Sequence, residues 1–141
     1  MKNKSINNIC KLCNKKAELR NSHLTPKFVI SWLKKTSVTG YLRQAINPNL
    51  RKEDMNKKYL FCNDCEQLLG KYESQFAKKI FFPFVEKELN EWGSQTGNIP
   101  TFNYEEWLLK FIISLQFRHL ITVEADTKIK IGEYRYNLLL K

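Results

Sequence analysis

Two periodicities alternate along this chain, and their order predicts its elements. From Ala17 to His23 apolar and polar positions alternate, predicting a short strand with Leu19, Asn21 and His23 on one face and Glu18, Arg20 and Ser22 on the other. At Thr25-Pro26 the period becomes helical. Pro is accepted in a first turn and Thr is able to cap it; Phe28, Val29, Trp32 and Leu33 recur on one side, Lys27, Lys34 and Lys35 on the other. Residues 37–45 return to an extended pattern with Gly40 as a turn or bulge, and 46–56 form a loop rich in Asn, Pro and charge. Lys57 to Phe61 predicts a second strand. It runs into a helix capped by Asn63 or Asp64 that continues through Leu68, Leu69, Tyr72 and Phe76 to Phe81, before Pro83 interrupts it.

The second half is simpler. A short helix is expected over 84–92 and a Gly/Ser/Pro linker over 93–103. Residues 104–123 carry the longest helical period, with Trp107, Leu108, Phe111, Ile112, Leu115, Phe117, Leu120 and Ile121 as a core stripe. His119 on this helix is expected to be structural. Beyond Asp126 the chain stays apolar through Ile129, Ile131 and Tyr134 and ends on Leu138-Leu139-Leu140-Lys141, as the front part of a longer protein would. Residues 1–8, rich in Lys and Asn, are expected to be a frayed arm.

Cysteine spacing changes the picture. All four cysteines fall in two Cys-x-x-Cys hooks, Cys10-Lys11-Leu12-Cys13 and Cys62-Asn63-Asp64-Cys65. Two residues between thiols let both sulfurs turn to one side of a tight bend, so two hooks close a tetrahedron around Zn²⁺. The first hook with Asn14-Lys15-Lys16 forms a knuckle, and the second opens a helix whose dipole favours the thiolate of Cys65. The 48 residues between the hooks exceed a zinc ribbon's spacing, so the expected arrangement is a treble clef with an insertion. A thioredoxin-like redox pair leaves one hook unexplained, and four unrelated core thiols leave the spacing unexplained.

Charge then suggests a partner. The net charge is +10, and residues 1–71 hold fifteen Lys and Arg against five Asp and Glu, whereas 72–141 hold nine of each. The whole excess lies in the half that carries the cysteines and His23, which suits a polyanion, most simply nucleic acid and in first place DNA. With 43% apolar residues the composition is that of a globular chain. No apolar run approaches the roughly 20 residues that cross a bilayer, and no apolar stretch follows the basic start as in a secretory signal. A cytoplasmic protein with reduced thiols and no membrane partner is expected.

The order Cys10-x-x-Cys13, strand, Ser22-His23-Leu24-Thr25-Pro26-Lys27-Phe28, strand, Leu60-Phe61-Cys62-Asn63-Asp64-Cys65-Glu66 and helix resembles the zinc-stapled bacterial branch of the HNH (ββα-metal) endonucleases. The resemblance covers residues 10–73. It implies hydrolysis of a phosphodiester, with His23 as general base on the attacking water and a divalent cation, Mg²⁺ or Mn²⁺, stabilising the phosphate. The chain departs from the family in four places. Ser22 precedes the base where a His or Asp is usual, Glu66 follows the hook where His is usual, Gly70 replaces the helical His, and Lys57 stands at the usual Asn, with Asn56 one place off. Glu66 and Glu73, two helical turns apart, are the candidate oxygen ligands for the catalytic cation.

The expected fold is therefore α+β: an HNH-like zinc-bound treble-clef (ββα) core over 1–90, a linker over 91–103 and a mainly helical region over 104–141. Cys10, Cys13, Cys62 and Cys65 are the structural zinc ligands and His23 the catalytic residue. The rival readings are a non-catalytic zinc-stabilised DNA- or RNA-binding module and a protein-interaction domain that presents the C-terminal helix.

Overall fold

The elements follow the predicted order in a computed structural model that describes residues 6–88 and 101–127. Strand β1 (Ile6–Ile9), β2 (Lys16–His23), helix α1 (Lys27–Thr36), β3 (Leu42–Arg43), β4 (Arg51–Lys52) and β5 (Lys57–Cys62) precede helix α2 (Asn63–Phe76). Two π-helical stretches, Ala77–Phe81 and Phe84–Glu88, follow it, and a long helix, here α3, spans Glu106–Thr127. The fold is mixed α+β with small sheets. The chain divides into two units, Met1–Asn63 and Asp64–Lys141. This boundary falls earlier than the linker expected at 91–103, most of which lies outside the described residues, as does the apolar ending after Asp126. No helix among the described residues is long and apolar enough to cross a membrane.

In the first unit an antiparallel sheet is ordered β1-β2-β5. β1 is a correction, since these residues were expected to belong to a frayed arm. Its pairs Ile6–Leu19, Asn7–Glu18, Asn8–Ala17 and Ile9–Lys16 complete a hairpin around the first cysteine hook. Three of its four side chains are exposed, so β1 is held by the ladder rather than by burial and leaves no apolar alternation to detect. The expected faces of β2 also need correcting. A register shift between Arg20 and Asn21 changes the phase, so that Leu19 and Ser22 are buried whereas Arg20 and Asn21 are both exposed. Such a bulge re-aims the residues beyond it, here Ser22 and His23. The core of this unit is Cys10, Leu12, Leu19, Ile30, Leu60 and Phe61, of which Cys10 and Phe61 are sealed completely. Full burial of a side chain the size of Phe61 contributes about 1.5–3 kcal/mol.

At α1 the N-cap position is Pro26, with no side-chain hydrogen bond, so Thr25 does not cap the helix as expected. Pro suits this place because its fixed φ enters the helix and its missing N–H would be unpaired there in any case. Gly40 adopts φ +69°, the turn that its position predicted, and the loop expected at 46–56 contributes β4, which pairs with β3.

In the second unit α2 does not stop at Pro83. The helix widens first, with the Phe82 N–H donating to the Ala77 carbonyl, and helical geometry continues through Pro83 into Phe84–Glu88. A wider register accommodates the ring and the missing donor that would break an α-helical ladder. α3 is apolar on most sides, and the buried set is not the expected stripe. Trp107, Phe111, Ser114, Phe117, Arg118, Ile121 and Thr122 are buried, while Ile112 and Leu120 are exposed, as is His119. The phase is chosen by partners on α2: Phe76 stacks on Phe111 at 4.3 Å between centroids, and Arg118 Nη1 pairs with Glu73 Oε1 at 2.5 Å. The hydroxyls of Ser114 and Thr122 donate to the Phe111 and Arg118 carbonyls, which satisfies them inside the helix.

Gly70 occupies the interior of α2, where a Cβ would meet nothing within 4 Å. Glycine costs such a helix about 0.8–1 kcal/mol relative to alanine. Gly70→Ala is therefore expected to raise stability by about that amount, seen as a higher urea midpoint at unchanged slope. A lower midpoint would show that the open space beside Gly70 is needed by the fold.

Candidate functional site

The hooks are shaped before any ion is considered. β1 and β2 are joined by the turn that carries Cys10 and Cys13. Within it the Cys10 N–H donates to the Lys15 carbonyl (2.9 Å) and the Asn14 N–H to the Cys10 carbonyl (3.0 Å). Asn14 closes the turn at φ +60°, a left-handed conformation that Asn accepts better than most residues. The Lys11 N–H reaches the Leu60 carbonyl at 2.9 Å, fastening this turn to β5 just before Cys62. α2 begins at Asn63, so Cys62 closes a strand and Cys65 sits in a first helical turn.

The ligand sulfurs of Cys10, Cys13, Cys62 and Cys65 all lie within 4.8 Å of one another, and no pair is bonded as a disulfide. Four sulfurs about 2.3 Å from one tetrahedral centre stand about 3.8 Å apart. The Cys13 and Cys62 sulfurs are separated by 3.8 Å. The quartet is thus positioned to hold one metal ion, and its chemistry fits zinc: four soft thiolates, a closed shell, and little exposure at Cys10 and Cys65. Burial pushes the Cys10 thiol up, but backbone N–H groups of Cys13, Cys62 and Leu12 outweigh it and bring the thiol from 9.0 to about 7. The Cys62 N–H lies 3.3 Å from the Cys10 sulfur. Donors aimed at sulfur suit a thiolate, the form that binds metal.

His23 stands at the other end of the same ladder. Leu19 pairs with Cys62 and His23 with Lys57, so four residues of β2 separate the imidazole from the second hook. At about 3.3 Å per residue that is about 13 Å, too far for the quartet to act on His23. What does act on it is Asp54. His23 Nε2 lies 3.1 and 3.2 Å from the two Asp54 oxygens, and Lys57 Nζ and the Met55 N–H donate to the same carboxylate. The Lys57 ammonium, with help from His23, lowers the Asp54 carboxyl from 3.8 to about 2. An ionised carboxylate has no proton to give, so Nε2–H is the donor, and a neutral imidazole then carries its lone pair on Nδ1.

Sequence reasoning missed Asp54. A signal was present: Glu53 and Asp54 are the only carboxylates between Glu18 and Asp64. The two expected cation ligands are not assembled. Glu73 is paired with Arg118, and the cysteine quartet is the only group of three or more His, Cys, Asp or Glu side chains close enough to share an ion among the described residues. Glu66 lies in the first turn of α2, partly buried. Ser22, the residue before His23, is buried with its hydroxyl toward the Arg20 carbonyl. The chain matches no protein-family model, no curated protein and no solved structure.

Two outcomes are expected. Purified protein should carry about one equivalent of tetrahedrally bound metal, and chelation or Cys13→Ser should abolish both the metal and amide protection in β2 and β5, because ligation contributes folding free energy directly. Asp54 should stay ionised down to about pH 4, where an ordinary aspartate is half protonated. Because its folded value is lowered, its contribution to stability is complete above about pH 4 and is lost as the pH falls toward about 2. The Asp54 carboxyl carbon resonance should therefore stay flat from neutral pH to about 4, and should begin to move in Lys57→Met.

Proposed function

We propose that this chain is a zinc-stapled nucleic-acid-binding protein of HNH type, a treble clef whose imidazole hydrolyses phosphodiesters. The observation that carries the reading is His23 Nε2 set on the Asp54 carboxylate at the end of β2, in a sheet whose neighbouring strand runs directly into a metal-binding hook. The knuckle between β1 and β2 supplies two thiols, and the end of β5 and the first turn of α2 supply one each, an order that supports the treble-clef reading. Zinc there is structural. It sets the sheet and leaves the chemistry to the far end of the ladder.

In this reading Asp54 orients His23 so that Nδ1 accepts a proton from the attacking water. The new P–O bond forms as the leaving oxygen departs and is protonated from solvent. A divalent cation would supply charge stabilisation at the phosphate, and such ions are commonly held by one or two carboxylates together with the substrate itself. Among the described residues there is no three-ligand site for it beside His23, and no step is assigned to one.

That same gap favours the second reading, a non-catalytic module in which zinc and the basic unit serve binding alone. Plasmid nicking with Mg²⁺ or Mn²⁺ separates the two. Cleavage is expected to fall about 10²–10⁴-fold in His23→Ala, the usual contribution of a general base, at unchanged metal content and fold. Binding without cleavage under either cation would leave the module.

A further inference from the structure

One segment of the first unit has a charge pattern that the fold itself does not use. From Leu19 to Lys52 the chain contains seven Lys and Arg and no Asp or Glu. It comprises α1 and the β3–β4 ribbon. In that ribbon Arg43 and Arg51 are direct register partners, so their side chains leave the same face. Like charges placed opposite each other in a ladder are destabilising. Among the described residues neither charge meets a carboxylate: Arg43 Nη1 donates to the Pro48 carbonyl at 2.6 Å, and the Arg51 guanidinium lies 5.3 Å from the centroid of the Tyr41 ring. None of the ion pairs among the described residues includes a Lys or Arg of this segment.

The ribbon also lacks a core of its own. Each strand has two residues, below the size at which a two-stranded ribbon is stable by itself, and Val38, Ile46 and Leu50 around it are exposed. Burial therefore does not account for two facing arginines. An anion bound between them does, because a phosphate accepts the guanidinium fork and removes the repulsion. On α1, Lys27 and Lys34 are seven residues apart and share a face, and Lys34 Nζ donates to the Glu53 carbonyl at 3.1 Å.

We propose that Arg43 and Arg51, with Tyr41 beside them, grip a nucleic-acid backbone, and that the lysine face of α1 extends the contact. A two-stranded ribbon has the width to enter a major groove, and Tyr41 gives an unpaired base a surface to stack on. The inference rests on the nucleic-acid part of the proposed function and deepens it by naming the surface.

The test is anisotropy binding of short labelled duplex and single-stranded DNA across a salt series, with the full chain in its metal-loaded form. Each phosphate contact adds about 0.9 to the slope of log K against log salt on duplex DNA. The double variant Arg43→Gln/Arg51→Gln is expected to lower that slope by about 2 and to weaken binding about tenfold or more at low salt. Arg43→Lys/Arg51→Lys should keep the slope, and Lys71→Gln/Lys78→Gln, the same charge change on exposed sites of the other unit, should leave it unaltered. An unchanged slope in the glutamine variant, with wild type still binding, overturns this surface and leaves the nucleic-acid reading intact. Failure of the wild type to bind either DNA or RNA at low salt overturns both, and binding to phosphatidylserine vesicles in its place would assign the arginines to a membrane surface.

Discussion

The convergence of four thiols is the constraint on which the first unit depends. Cys10 and Cys13 lie in a turn stretched between two strands, and Cys62 ends a third, so one ion shared by the quartet would fix where β2 and β5 begin and end relative to each other. The backbone anticipates it. The Lys11–Leu60 hydrogen bond and the Cys62 N–H directed at the Cys10 sulfur bring the hooks together by main-chain donors alone. Such donors would be poorly used on neutral thiols, and four thiolates without a cation would repel one another. A metal ion held by the quartet would resolve both problems at once and would couple folding of this unit to binding of the ion.

The cysteine quartet stands at one end of the β2–β5 ladder and His23 at the other. There the bulge after Arg20 buries Ser22 and turns His23 toward the segment before β5. Asp54 receives the imidazole, Lys57 holds Asp54, and the pairing of His23 with Lys57 in the ladder closes the circle. An aspartate held by a lysine stays charged, and a charged aspartate selects one histidine tautomer. The position of the imidazole and the nitrogen that donates to Asp54 are thus set by three residues inside one short loop and two strand ends. The stretch that separates Glu18 from this loop holds seven Lys and Arg and no Asp or Glu, so it offers these cations no carboxylate of its own.

The second unit shows how a single buried pair orients a helix that hydrophobicity leaves undecided. Leu109, Ile112, Leu120 and Val123 are as apolar as the residues that are buried, yet they face outward. Burying Arg118 requires a counter-charge, and Glu73 on α2 supplies it, so the helix cannot rotate without leaving a charge unpaired in the interior. The cost of that alternative, about 3–5 kcal/mol, exceeds what exchanging one leucine for another would return. The same pairing removes Glu73 from the set of carboxylates available for a cation.

The sequence by itself determined the features that depend on spacing along the backbone. Both hooks, the strands around His23 and before Cys62, the helices after Pro26, Asn63 and Glu106, and the turn at Gly40 were all legible, because each is specified by neighbours a few residues apart. The tertiary structure decided whatever needed a partner from elsewhere in the chain. β1 forms because β2 offers an edge, not because its own residues ask for burial. The phase of β2 breaks at a bulge that no alternation announces, and Pro83 is passed by a widened helix rather than ending one. Asp54 meets His23 across 31 residues and Glu73 meets Arg118 from another helix, and such pairings leave no period in the sequence because they are selected by the energy of satisfying a charge in three dimensions.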